Sequence, residues 1–173
     1  MQAKGAQVLS KPFLCSGGVG NGKQIAAALA LGADGVNCGT RFCATQECNW
    51  PSTYKHRMLQ ANETDTVLML RRLNNTCRVF RNKVSAEVEE IESQKGEDFD
   101  FSDVAHLVNG KRGRAAEVKG DPDGGIWSAG QVVGLIDSIP TCAQLIADMM
   151  EECVDTIQNR LQSMTVVAPR SRL

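Results

Sequence analysis

Phe13-Leu-Cys-Ser-Gly-Gly-Val-Gly-Asn-Gly-Lys23, followed by Gly32-Ala-Asp-Gly-Val-Asn-Cys-Gly-Thr-Arg-Phe42, decides the fold of this chain. It reads as strand, glycine turn, helix, strand, glycine turn. Phe13 to Ser16 is a short apolar run closed by Gly17 and Gly18. Ile25 to Leu31 is alanine-rich, and Gly32 is a natural C-terminal stop for a helix. Gly35 to Cys38 is a second short run, closed by Gly39 and Thr40. Two strands joined by a helix make a βαβ unit, and its strands are predicted to be parallel. Each strand ends in a glycine-bearing turn at its C-terminal end, where α/β proteins place their ligands.

Glycine suits such a turn because no Cβ stands between backbone N–H groups and a phosphate. Helices are predicted to begin near Lys23 and near Arg41, and a helix N-terminus adds unpaired donors and partial positive charge. Thr40 adds a hydroxyl. A single turn of this kind can be simply a tight turn. Two matched turns one βαβ unit apart point to a phosphate site like the one after the last two strands of a (β/α)8 barrel.

Ser16-Gly-Gly-Val-Gly-Asn-Gly, Ala26-Ala-Ala-Leu-Ala-Leu-Gly-Ala-Asp-Gly-Val and Cys38-Gly-Thr-Arg-Phe-Cys-Ala-Thr-Gln-Glu-Cys resemble the nitronate monooxygenase family. The likeness continues through Arg78-Val-Phe-Arg-Asn and Gly125-Ile-Trp-Ser-Ala-Gly-Gln-Val-Val-Gly-Leu-Ile, from about Pro12 to near Met164. It covers only the C-terminal half of that family, whose members are FMN-dependent barrels. The resemblance implies an α/β fold: the last two strands of a TIM barrel and a mainly helical C-terminal subdomain. It implies FMN as cofactor, with Gly17, Gly18, Cys38, Gly39 and Thr40 around its phosphate. It implies oxidation of an alkyl nitronate by O2. A branch of the family reduces quinones with NADH, so a quinone and NADH are the alternative partners. A non-catalytic truncated member is the third reading.

The chain has 173 residues, fewer than the ~250 of a complete barrel. A net charge of −1 gives no reason to expect a nucleic acid partner. No run approaches the roughly 18–20 apolar residues of a membrane span, and 1–10 lacks the apolar core of a secretory signal. Seven cysteines without a C-x-x-C pair predict no metal site and reduced, mostly buried thiols in a cytoplasmic setting. Gly17 with Gly22-Lys23 imitates a P-loop. Gln24 stands where the magnesium-holding hydroxyl belongs, and the dinucleotide fingerprint lacks its third glycine.

Beyond residue 50 the pattern predicts helices. Pro51 and Ser52 open one with Tyr54 and Met58 on one face. Thr66 to Leu70 is apolar and suits strand or helix, and the basic run from Arg71 to Arg81 reads as solvated surface. Lys83 to Gln94 is amphipathic, with Val84, Val88 and Ile91 inward and Glu87, Glu89, Glu90 and Glu92 toward water. Ser102 is predicted to cap a helix stopped by Gly110. Ser128 is predicted to begin a helix through Ile136, either facing substrate or only capping. Thr141 to about Ser163 reads as one long helix with the stripe Leu145, Ile146, Met149, Cys153, Ile157, Leu161 and Met164.

The expected division is a barrel portion over 1–50, a helical lid carrying the substrate-binding Ser128 over 51–164, and a tail over 165–173. In the resembling family a histidine from an earlier strand is the catalytic base. Neither His56 nor His106 matches its motif, so no catalytic residue is assigned. The two strands have unpaired edges, which predicts poor folding, exposed apolar surface and aggregation for the chain by itself. Ser171-Arg-Leu resembles a C-terminal peroxisomal address, the alternative to a cytoplasmic location.

Overall fold

The computed structural model describes residues 2–165. The tail beyond Thr165, with Ser171-Arg-Leu, lies outside the described residues. In order, the elements are α1 (Gln2–Val8), β1 (Leu14–Ser16), α2 (Gly22–Ala30), β2 (Gly35–Asn37), α3 (Thr40–Cys43) and α4 (Ser52–Leu59). Then come β3 (Thr66–Met69), β4 (Cys77–Phe80), α5 (Lys83–Lys95), α6 (Phe101–Val108), α7 (Gly110–Lys119) and α8 (Cys142–Asp155). The described residues divide into two compact units, 2–37 with 143–165 and 38–142. Among the described residues the strands form two separate two-stranded sheets, and none closes into a barrel. No described helix is long and apolar enough to cross a membrane.

In the first unit β1 and β2 pair in parallel, with Cys15 opposite Val36, as the short apolar runs predict. Asp34 clasps the start of β1: its N–H donates to Phe13 O and its carboxylate accepts from Phe13 N–H, both at 2.9 Å. Asn21 caps α2 by accepting from Gln24 N–H at 3.0 Å. The stop at Gly32 has the expected left-handed backbone, φ +93°.

The N-terminus of α2 also carries an anion, but one from the protein itself. Glu152 of α8 accepts from Gly22 N–H at 2.7 Å and lies 3.5 Å from Lys23 Nζ. A carboxylate is stabilised there by the free donors and the helix dipole. Two of the donors predicted near Lys23 for a ligand, Gly22 N–H and Gln24 N–H, are therefore engaged internally. Gly22 sits so close to α8 that a Cβ would collide with the backbone at Met149 and Cys153.

The predicted α8 stripe is only partly core. Leu145, Met149 and Cys153 are buried, whereas Ile146, Ile157, Leu161 and Met164 are exposed. Beyond Asp155 the helix loosens into a π-helical turn over Thr156–Leu161 and a 3-10 turn over Gln162–Met164. With Met150 and Val154, the exposed positions make a second apolar face that continues at helical spacing from 146 to 164.

The second unit is less helical than the sequence suggests. Thr66 to Met69 is a strand, and Cys77 to Phe80, inside the basic run, is its antiparallel partner, with Val67 opposite Val79. Arg78 is not free surface: its Nη1 donates to Thr66 Oγ1 at 2.9 Å across the pair. The connection holds Leu70 at φ +57° and Asn74 at φ +53°.

Glu92 does not face water. It is buried, and its two oxygens accept from Leu70 N–H at 3.0 Å and Arg72 N–H at 2.9 Å. These bonds hold the strained start of that connection. Val67, Met69, Val79, Val84, Val88, Val104 and Leu107 form the adjoining core. Asp100, not Ser102, caps α6, reciprocally with Asp103. Gly110 does not stop that helix but opens α7, which Asn109 caps.

Gly22→Ala is expected to cost the first unit about 1–3 kcal/mol, because overpacking against backbone has no cheap relief. Gly39→Ala, with open space at its Cβ, is expected to melt like the wild type. Paired thermal melts check both.

Candidate functional site

The first glycine turn is shaped from within its own unit. Gly17 and Gly18 both have positive φ, +86° and +71°, and a Cβ on either would meet nothing within 4 Å. These glycines are required by backbone conformation, not by a packing neighbour. Gly17 N–H donates to Asn37 O at 3.3 Å, which ties the turn to the end of β2. Gln24 then clasps the loop: its side-chain amide donates to Gly18 O at 2.7 Å and accepts from Gly20 N–H at 2.8 Å. The residue that spoils the P-loop pattern thus preforms this loop.

The second turn, at the start of the second unit, has a different construction. Gly39 has φ −106° and ψ −72°, which any residue can adopt, and its Cβ direction is open. The first α3 bonds run from Phe42 and Cys43 N–H to Gly39 O, so helix geometry leaves Gly39 and Thr40 N–H without intrahelical acceptors. Thr40 Oγ1 accepts from Gly130 N–H at 2.9 Å, and its own proton remains available to an acceptor. Cys38 is half-buried at the junction with β2.

Ser128 lies two residues from that contact. It does not begin a helix. Ser128 bridges antiparallel to Val79, and Phe80 N–H donates to Trp127 O at 3.0 Å. Residues 127–129 therefore extend the β3–β4 pair as a short third strip. Burial alternates along it: Trp127 and Ala129 are buried and Ser128 is exposed. The 3-10 turn over Gln131–Leu135 follows Gly130 and has no side-chain cap. The capping role proposed for Ser128 is thus removed.

Four aromatic rings and one amide hold this strip. Trp127 stacks on Phe80 at 4.3 Å and meets Trp50 and Tyr54 edge-on at 5.5 and 5.4 Å. Trp127 Nε1 donates to Pro122 O at 3.0 Å, and Tyr54 OH donates to Asp121 O at 2.9 Å. Burial, then the charges of Asp121 and Glu117, push the Tyr54 phenol up, so it remains a donor. Asn82 is buried and accepts from Ser85 N–H at 2.9 Å, capping α5. Its NH2 donates to both Pro122 O and Gly125 O at 2.8 Å. Asn82, the last residue of Arg78-Val-Phe-Arg-Asn, has no role in the sequence reading. An asparagine three residues before Ser85, at the head of an amphipathic run, was the available cap signal.

Neither histidine enters this arrangement. His56 is exposed and its Nδ1 lies 2.7 Å from Ser52 O in its own helix. His106 is exposed on α6.

The nitronate monooxygenase family model matches residues 2–152, and the chain belongs to that family. FabK of Thermotoga maritima is 31% identical in sequence and superposes with a TM-score of 0.83, over 95% of this chain and 50% of that one. A nitroalkane oxidase of Streptomyces ansochromogenes is 27% identical with a TM-score of 0.71, over 90% of this chain and 43% of that one. A 5-hydroxy-7a-methyl-1-oxo-octahydro-1H-indene-4-carboxyl-CoA dehydrogenase of Rhodococcus jostii is 30% identical over 179 residues, covering 84% of this chain and 51% of that protein. The chain spans about half the length of the curated relatives it matches.

Asn82→Ala removes the α5 cap and the donor to two carbonyls. It is expected to destabilise the second unit by about 2–4 kcal/mol. Asn82→Asp keeps the cap acceptor but sets a buried carboxylate oxygen against the Pro122 and Gly125 carbonyls, so it should cost at least as much. Urea unfolding followed by tryptophan fluorescence checks this, since both tryptophans pack beside Phe80 or Tyr54.

Proposed function

We propose that this chain carries the phosphate-binding end of an FMN-dependent oxidoreductase of the nitronate monooxygenase family, acting on alkyl nitronates with O2. The single observation that carries the reading is the pair of glycine turns at the C-terminal ends of two parallel strands, with open space at the Cβ positions of Gly17, Gly18 and Gly39. A fold needs no glycine at Gly39, where the backbone is ordinary and no neighbour is close. A ligand that approaches the backbone does need it.

The chain's own residues fit a phosphate. In the first turn Gln24 holds the loop open without a Cβ on Gly17 or Gly18. In the second, Gly39 and Thr40 offer N–H groups, and the Thr40 hydroxyl is oriented by Gly130 so that its proton points to an acceptor other than Gly130. Cys38 contributes through its backbone. When bound, FMN supplies the electron chemistry of the reaction. In this reading residues 1–50 are the last βαβ portion of a TIM barrel, and 51–164 are a lid subdomain. Ser128, exposed on a strip pinned by Trp127 and Asn82, offers its hydroxyl to the nitronate. The general base is not among the residues assigned here, since His56 and His106 lie on exposed helix faces.

Gly39→Val should weaken FMN binding at least about tenfold, which is ~1.4 kcal/mol, with an unchanged melting temperature. Flavin fluorescence titration reads the first and a thermal melt the second. Wild-type affinity in the variant would remove the phosphate assignment. The chain by itself is expected to turn over propionate 3-nitronate no faster than free FMN. Oxygen consumption above that background would contradict the absence of an assigned base.

A further inference from the structure

The connection from β3 to β4 carries two arginines at its start. Arg71 and Arg72 follow Leu70, whose φ of +57° is one that a leucine rarely adopts. Glu92 holds that backbone in place by accepting from Leu70 N–H and Arg72 N–H. Arg71, Arg72 and Leu68 line an open cavity of about 550 Å³ together with Glu89, Glu92 and Ser93. The last three stand at i, i+3 and i+4 on one face of α5.

The charges in this cavity do not cancel one another. Glu89 is paired with Arg81 at 2.9 Å. Glu92 is buried, with its two oxygens on backbone N–H groups. Both carboxylates are thus engaged without either arginine head group. Among the described residues the Arg71 and Arg72 side chains make no ion pair or hydrogen bond, and the Ser93 hydroxyl has no partner. Two guanidinium groups and a hydroxyl therefore line one cavity with their donors open.

We propose that this cavity binds a small phosphate ester, with its phosphate on Arg71, Arg72 and Ser93. A phosphate monoester carries a charge of about −1.5 to −2 near pH 7 and three strong acceptor oxygens. Two guanidinium groups match that charge, and each can offer two parallel N–H donors to a pair of oxygens. The volume exceeds what a phosphate alone needs and falls within the roughly 300–1,000 Å³ of small-molecule sites. The organic part of the ester lies against Leu68. Glu89 and Glu92 in the same wall set the upper limit on charge: a triphosphate or a nucleic acid would bring further negative charge against them. None of the lining residues belongs to the glycine turns, and the inference does not rest on the flavin reading.

The test titrates the full chain with phenyl phosphate, and separately with inorganic phosphate and benzoate, by calorimetry and by backbone amide resonance shifts. Phenyl phosphate is expected to bind at least about tenfold more tightly than either of the others, with shifts at Arg71, Arg72 and Ser93. Arg71→Gln and Arg72→Gln should each weaken it at least about tenfold at an unchanged melting temperature. Lys111→Gln, a basic position on α7, should bind as the wild type does. Unchanged affinity in the Arg71→Gln, Arg72→Gln double variant, inorganic phosphate or benzoate binding as tightly, or no shift at Arg71, Arg72 and Ser93 would overturn the proposal. The wild-type shifts decide it even if a variant fails to fold, and a failure of the flavin reading would appear at other amides, those of Gly18, Gly39 and Thr40.

Discussion

One buried amide, that of Asn82, holds the part of the molecule that presents Ser128. Its oxygen caps α5, and its nitrogen ties down the carbonyls of Pro122 and Gly125. Its own N–H donates to Ser85 Oγ at 2.8 Å. A buried amide has two donors and an acceptor to satisfy, and each unmet group would cost about 1–3 kcal/mol. All are met here by groups that also need partners. The loop over 120–125 is thereby fixed against the start of α5, and Trp127 leaves it at the one position where it can stack on Phe80. Ser128 inherits its exposure from that geometry, because the residue after a buried strand position faces the other way.

The glycines of the chain divide by the reason they are glycine. Gly22 is a packing residue: α8 passes so close that no side chain fits, and Glu152 uses the space to reach the N-terminus of α2. Gly17 and Gly18 are conformational, since their backbone angles are in the left-handed region. Gly39 has neither reason. Gly110 at the start of α7 shares that openness, so Gly39 supports a ligand through its place in the second of the two turns from which the phosphate reading starts.

The parallel pair, the helix between its strands and both glycine turns were legible because they rest on local signals: apolar runs, glycine punctuation and helical period. What was not legible depends on distant partners. Nothing near Gly22 announces Glu152, 130 residues away. Thr66 to Met69 becomes a strand only because Cys77 to Phe80 pairs with it, and a basic run hides that partner. Glu92 differs, because the local signal for its burial is present in the sequence. It lies four residues beyond Val88 and eight beyond Val84, on the buried stripe, but its charge suggested water. A carboxylate belongs inside when it meets two backbone N–H groups. Ser128 reads as the cap of a helix because serine is a good N-cap residue. The bridge to Val79 overrides that local preference. Of the site, the glycine turns and Thr40 could be read from residue type, whereas the contact between Thr40 and Gly130 joins segments ninety residues apart.

The central claim is that these turns recognise the phosphate of a flavin. The most direct measurement is the perturbation of backbone amide resonances on titration with FMN and, separately, with riboflavin, which lacks the phosphate. The account predicts shifts at Gly18, Gly39 and Thr40 with FMN and none at those amides with riboflavin. Equal shifts with both ligands, or FMN shifts confined to other residues, would contradict it.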